Sequence, residues 1–138
     1  MKIFLDTADT EQIKKYFDTG LVDGVTTNPS LIRKSGRDPH EVYREIRDIG
    51  ITDISMEVVG DTEEMYHQAM QLHAEFKEVC TVKLPCTPDG LAVCKRLNEV
   101  GIRTNVTLIF SAAQAILAAK AGATYVSPFI GRYDDNSI

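Results

Sequence analysis

No stretch of this 138-residue sequence approaches the ~18 consecutive apolar residues of a membrane span. Its first residues, Met1-Lys2-Ile3-Phe4-Leu5-Asp6, meet an acid too early for a signal peptide, so the protein is expected in the cytoplasm. Cysteine is scarce: Cys80, Cys86 and Cys94 match no zinc or CxxC spacing and read as reduced thiols. Lys and Arg nowhere cluster, and with 15 basic against 20 acidic residues the net charge is -5, which leaves no footprint for nucleic acid. GxGxxG, P-loop and HExxH motifs are all missing, and with them any positive sign of a nucleotide or a zinc site. His40, His67 and His73 lack metal-ligand spacing, so no metal is expected. The triplet Asn105-Val106-Thr107 fits a glycosylation pattern, which without a secretion signal is accidental.

What is present is an ordinary globular composition, 43% hydrophobic and 25% charged, and a length that suits one domain over residues 1–138. A chain this long can bury roughly two thirds of its unfolded surface. Short apolar runs alternate with amphipathic stretches. The runs cover 2–7, 24–28, 53–59, 80–85, 103–110 and 124–130. Between them stand helix starts with capping-box spacing: Asp9 with Gln12, Asp38 with Glu41, Asp61 with Glu64, Ser111 with Gln114. Pro39 and Pro88 fall where a first-turn proline is tolerated, and Gly20, Gly50, Gly101 and Gly122 are placed to end helices. Met65, Ala69, Leu72 and Phe76 share one helical face and read as core. Strand and helix therefore alternate through six strands. This predicts an α/β fold with a parallel sheet, either doubly wound and open or part of an eight-stranded barrel.

Both architectures bind ligands at the C-terminal ends of the strands. Each predicted strand carries polar groups near one end: Asp6 and Thr7; Thr26, Thr27 and Asn28; Glu57; Lys83; Asn105 and Thr107; and Ser127, with Arg132 just beyond. Taken singly, each has a bland explanation: Asp6 as a cap, Asn28 before Pro29 as a turn residue, Glu57 or Lys83 at a solvent-facing edge. Six in step are harder to explain this way, because buried parallel strands usually read as continuous apolar runs. Lys83 between Val82 and Leu84 is the sharpest case. Burial disfavours the charged form of lysines, and a neutral amine is what attack on a carbonyl requires. A structural salt bridge from Lys83 to Glu57 or Asp6 is the competing explanation.

The motifs Leu5-Asp6-Thr7-Ala8, Gly24-Val25-Thr26-Thr27-Asn28-Pro29-Ser30-Leu31-Ile32 and Val82-Lys83-Leu84-Pro85 occur in order. They are followed by Thr104-Asn105-Val106-Thr107-Leu108-Ile109-Phe110-Ser111 and Val126-Ser127-Pro128-Phe129-Ile130-Gly131-Arg132. Together these resemble the transaldolase family, in particular its short-chain branch, which also contains the fructose-6-phosphate aldolases. The resemblance runs from Met1 to about Asp135. It implies a (β/α) barrel of the TIM type and transfer of a dihydroxyacetone unit between sugar phosphates, the chemistry of the pentose phosphate pathway. By this resemblance Lys83 forms the Schiff base and Asp6 takes the hydroxyl proton whose loss cleaves the carbon–carbon bond. Glu57 works through a water near Thr107. Asn28, Asn105 and Ser127 hold substrate hydroxyls or position the lysine, Thr27 and Phe129 join the substrate-binding set, and Arg132 binds the phosphate. No cofactor is implied, because the imine itself is the electron sink. Glu57 and Phe129 follow the transaldolase pattern, where the aldolases usually carry Gln and Tyr.

A complete barrel of this kind has eight strands. Six of eight strand–helix units are expected here, with the last two lacking, so β-edges would lie open. Self-association or a second chain is expected to cover them. The alternatives to a transaldolase are a fructose-6-phosphate aldolase-like lyase, a non-catalytic truncated fragment serving as an assembly module, and an unrelated open-sheet domain, which the five motifs oppose.

Overall fold

The computed structural model describes residues 1–130 and shows six parallel strands joined in sequence order β1-β2-β3-β4-β5-β6. They are β1 (Phe4–Asp6), β2 (Gly24–Thr26), β3 (Ile54–Glu57), β4 (Cys80–Pro85), β5 (Thr104–Ile109) and β6 (Tyr125–Pro128). Helices separate them: α1 (Thr10–Phe17), α2 (Pro29–Lys34), α3 (Pro39–Ile49), α4 (Thr62–Phe76), α5 (Pro88–Glu99) and α6 (Ala112–Lys120). The sheet curls into an incomplete TIM barrel. The doubly wound alternative is excluded, because its strand order would reverse at a switch point and this order does not.

The helices start where the caps require. Asp9, Asp38, Asp61 and Ser111 each accept a backbone N–H of the first turn on their side chains. One helix was not foreseen. Asn28 does not sit in a simple turn; it caps α2 by accepting Ser30 N–H at 2.9 Å, and Pro29 takes the first helical position. The strands other than β4 are shorter than the apolar runs, because the run ends belong to caps and connecting loops.

Side chains on a strand alternate between faces. On the outer face Val25, Ile54, Met56, Val82, Leu84 and Val106 are completely buried in one cluster with Ile13, Val42, Ile46, Ala69, Val93 and Leu97 of the helices. The Met65-Ala69-Leu72-Phe76 stripe lies in this cluster, as its spacing predicts. Two glycines are set by close approach. A Cβ on Gly24 would lie 2.5 Å from the Phe4 ring, and one on Gly90 only 1.9 Å from the Pro85 carbonyl oxygen, so α5 rests against β4 backbone there.

The curl is visible in the contacts of Tyr125. In a flat sheet β6 would lie roughly 14 Å from β3 and roughly 24 Å from β1, at ~4.8 Å per strand. Instead the Tyr125 hydroxyl donates to Asp53 Oδ2 at 2.8 Å and accepts from Lys2 Nζ at 3.2 Å. Its ring meets Phe4 edge-on, with centroids 5.3 Å apart. Thr81 donates to the other Asp53 oxygen at 2.7 Å, and Arg103 lies 3.5 Å from Oδ2. Asp53 thus ties three other segments together at the N-terminal end of the interior. Among the described residues no helix is long and apolar enough to cross a membrane.

Candidate active site

At the C-terminal ends of the strands the inner face is polar. Cα register pairs Glu57 with Lys83 and Lys83 with Asn105, so three adjacent strands present a carboxylate, an amine and an amide in one row. Asp6 pairs with Thr26 across β1 and β2, and the Thr26 hydroxyl donates to Asp6 Oδ1 at 2.8 Å. Thr107 pairs with Ser127 across β5 and β6.

Lys83 is 9% exposed. Its Nζ reaches across β3 to the carbonyl oxygen of Thr27, at 3.4 Å, a long hydrogen bond. Neither Glu57 nor Asp6 comes within ion-pair distance of it. The salt-bridge explanation therefore finds no support in the structure. A buried lysine without a carboxylate partner among the described residues is an expensive arrangement for packing alone.

Asn105 is held from both sides. Its amide nitrogen donates to Ser55 Oγ at 3.2 Å, and its carbonyl oxygen accepts from Ser127 Oγ at 2.8 Å. The two bonds fix which end of the amide faces which strand. Burial pushes the Glu57 carboxyl up from its ordinary value, and nearby Lys83 opposes this. Such a carboxyl takes and returns protons more readily near neutral pH than an exposed one does. Glu57 also lines a cavity of about 200 Å³ that reaches it from outside the sheet, between α2, α3 and α4. Tyr43 lines the same cavity, and burial holds its hydroxyl up at about 12, with the neighbouring Thr27 side chain opposing.

Thr107 is 1% exposed, and its hydroxyl has no hydrogen-bond partner among the described residues. An unsatisfied buried hydroxyl costs about 1–3 kcal/mol. Thr27 behaves differently from its neighbour Thr26. Its side chain is buried and donates to Ser55 O at 2.9 Å, so only its carbonyl is turned toward Lys83. Asn28 spends one oxygen on its helix cap. Phe129 sits just past β6 and meets Phe110 edge-on, with centroids 5.7 Å apart. Arg132 lies outside the described residues.

The structure therefore gathers Asp6, Glu57, Lys83, Asn105, Thr107 and Ser127 at one end of the curled sheet. It adds Ser55 and Tyr43, which the sequence reading did not single out, and it sets Thr26, read there only as a strand-end polar residue, against Asp6. Thr26 and Ser55 follow from the alternation rule, standing in register with Asp6 and two before Glu57. Tyr43 comes from a helix and carried no signal.

The profile of a family described as Transaldolase/Fructose-6-phosphate aldolase matches residues 3–137. A probable transaldolase from Geobacter metallireducens is 58% identical over 138 residues, covering 99% of this chain and 64% of the relative. A probable transaldolase from Methanococcus vannielii is 56% identical over 136 residues, covering 98% and 63%. The chain thus spans under two thirds of the length of the curated relatives it matches. A solved HpcH/HpaI aldolase from Desulfitobacterium hafniense DCB-2 covers 97% of this chain and 88% of its own, at 11% identity and a TM-score of 0.44, a likeness too slight to argue from.

Proposed function

Because the chain belongs to the transaldolase/fructose-6-phosphate aldolase family, we propose that it is built for transaldolase chemistry, moving a dihydroxyacetone unit between sugar phosphates through an imine on Lys83. The observation that carries this reading is Lys83 itself: a lysine buried in the sheet interior, without an ion-pair partner among the described residues, between Glu57 and Asn105 in register. The Lys83 Nζ lone pair adds to the ketose carbonyl, and loss of water leaves a protonated imine. Asp6, exposed at the open end and oriented by Thr26, removes the proton of the hydroxyl beside the bond to be broken. The carbon–carbon bond breaks, its electrons pass into the imine as an enamine, and an aldehyde departs. Addition of the enamine to a second aldehyde and hydrolysis of the imine complete the transfer. Glu57 relays the protons of imine formation and hydrolysis through a water that the unpartnered Thr107 hydroxyl holds, so its raised affinity for a proton suits the role. Asn105, braced by Ser55 and Ser127, holds a substrate hydroxyl, and Arg132 supplies the charge for the phosphate. Glu57 and Phe129 favour transfer over simple aldol cleavage.

We also propose that further polypeptide, from a second copy or another chain, covers the open sheet edges. Ile116, Leu117, Val126 and Ile130 near β6, and Ile3 and Leu21 near β1, are exposed apolar side chains consistent with this. Native mass spectrometry distinguishes a self-associated protein from a monomer.

The imine is tested by borohydride trapping with fructose 6-phosphate or dihydroxyacetone, followed by peptide mapping. The expected result is a stable adduct on Lys83 that disappears in Lys83→Ala. A folded sample that traps nothing sinks the proposal for this chain.

A further inference from the structure

We propose that Leu108 is a positioning residue: its left-handed backbone forms a bulge that turns Ile109 out of the sheet interior and leaves the Thr107 hydroxyl uncovered there. The proposal rests on the imine reading above.

Among the described residues, two other than glycine have positive φ, Lys77 and Leu108. Lys77 lies at the end of α4, where the chain turns directly into a short 3-10 turn over Lys77–Val79. Leu108 has φ 61° inside β5, where no turn calls for it. L-residues avoid this region because Cβ crowds the carbonyl, and leucine lacks the short polar side chain that lets Asn or Asp enter it. The pairing of β5 with β6 shows what the conformation does. Thr107 stands opposite Ser127 and Ile109 opposite Pro128, so two steps along β5 match one along β6 and Leu108 is the extra residue. Regular backbone hydrogen bonds flank it: Cys86 N–H donates to Thr107 O at 2.9 Å, and Phe129 N–H to Ile109 O at 3.1 Å.

A strand without the bulge would carry its alternation through Asn105 and Thr107 and turn Ile109 inward, onto the polar row. Ile109 is instead 3% exposed and lines a groove with Ala112 and Ala115 of α6, on the outer side. The polar row therefore ends at Thr107, whose hydroxyl is buried and unpartnered. A strained backbone and an unsatisfied hydroxyl therefore stand side by side where the polar row ends. Bulges beside active sites commonly re-aim a side chain, and persistent strain there points to function.

The test compares backbone-compatible and backbone-incompatible replacements in the rate of borohydride-trappable adduct formation. Leu108→Gly and Leu108→Asn both accept left-handed φ, and both are expected within about threefold of the parent. Leu108→Val, whose branched Cβ resists that region, is expected to slow trapping roughly ten- to a hundredfold, the scale of an ångström-level misplacement. In a Thr107→Val background Leu108→Val should add nothing, since it acts through the lost hydroxyl. Multiplying effects in that background overturn the proposal, as does a Gly variant as slow as the Val one. If Leu108→Val does not fold, the Gly and Asn variants still decide, together with the NMR three-bond coupling that reads φ at residue 108. An extended φ in the parent protein refutes the proposal without reference to activity. A left-handed φ with no adduct in the parent refutes the imine reading instead.

Discussion

Replacing Tyr125 with Phe removes one oxygen and keeps the ring against Phe4. That oxygen is the link by which β6 reaches β3 and β1 across the interior, so the substitution tests the curl of the sheet. Asp53 is 4% exposed and loses one of three partners, retaining Thr81 at 2.7 Å and Arg103 at 3.5 Å. A hydrogen bond to a charged group contributes about 1.5–3 kcal/mol. Two surviving partners argue for the lower half, about 1.5–2 kcal/mol. The Lys2 contact is exposed and adds little. On the usual scaling this lowers Tm by roughly 5–10 °C. Urea unfolding should show an earlier midpoint at unchanged m-value, the signature of lost stability without a changed unfolded state. A cycle with Asp53→Asn should give a coupling of at least about 0.5 kcal/mol. Tyr16→Phe, at an exposed position, serves as control and should stay within about 0.5 kcal/mol of the parent. A Tyr125→Phe loss below about 0.5 kcal/mol, with no coupling to Asp53, would refute the cross-interior link and with it the convergence of the strand ends.

Thr107→Val keeps the shape but removes an unsatisfied buried hydroxyl, so folding stability should be unchanged or rise by up to about 1–3 kcal/mol while trapping slows; a destabilised variant would mean that the hydroxyl has a partner. Glu57 binds a proton more tightly folded than unfolded, so its contribution to stability is full below its ordinary value of 4.5 and is lost as pH rises through the folded value. Glu57→Gln should therefore gain on the parent in stability as pH rises from there, and a difference flat in pH would count against the burial. Gly90→Ala drives a Cβ to 1.9 Å from Pro85 O and should cost about 1–3 kcal/mol in unfolding experiments, since backbone must move. A neutral result there would show that α5 does not rest on β4 as described.

The strand–helix alternation was legible because outer-face residues and helix caps obey local rules. Asp9, Asp38, Asp61 and Ser111 all cap as their spacing predicts. The missed helix α2 follows a capping Asn and a first-turn Pro, a pair that reads equally well as a turn, and only six residues of helix follow to break the tie. Thr27 was grouped with the substrate-binding residues, although Thr26 is the one on the inner face. Strand parity separates the two once Asp6 is paired with Thr26, but pairing is a property of two strands and one sequence does not display it. The Leu108 bulge was invisible for a stronger reason: leucine is not a residue that announces left-handed backbone.

The inner face also divides along the strands in a way that bears on function. At the N-terminal end polar groups satisfy one another: Asp53 meets Thr81, Arg103 and Tyr125, and Tyr125 meets Lys2. At the C-terminal end Asp6 is paired by Thr26 and Asn105 by Ser55 and Ser127, but the groups between them are not. Lys83 has a single long bond to a carbonyl, the Thr107 hydroxyl has none, and burial weighs against the charge on Glu57. Composition does not separate the two ends, since both contain acids, bases and hydroxyls. Closure separates them. A closed polar layer holds shape, and an open one carries a standing cost that a bound carbonyl, hydroxyl or water can relieve. The open layer sits where parallel (β/α) folds bind their ligands. For that reason unsatisfied bonding capacity, more than the residue types alone, singles out the C-terminal row as the candidate site.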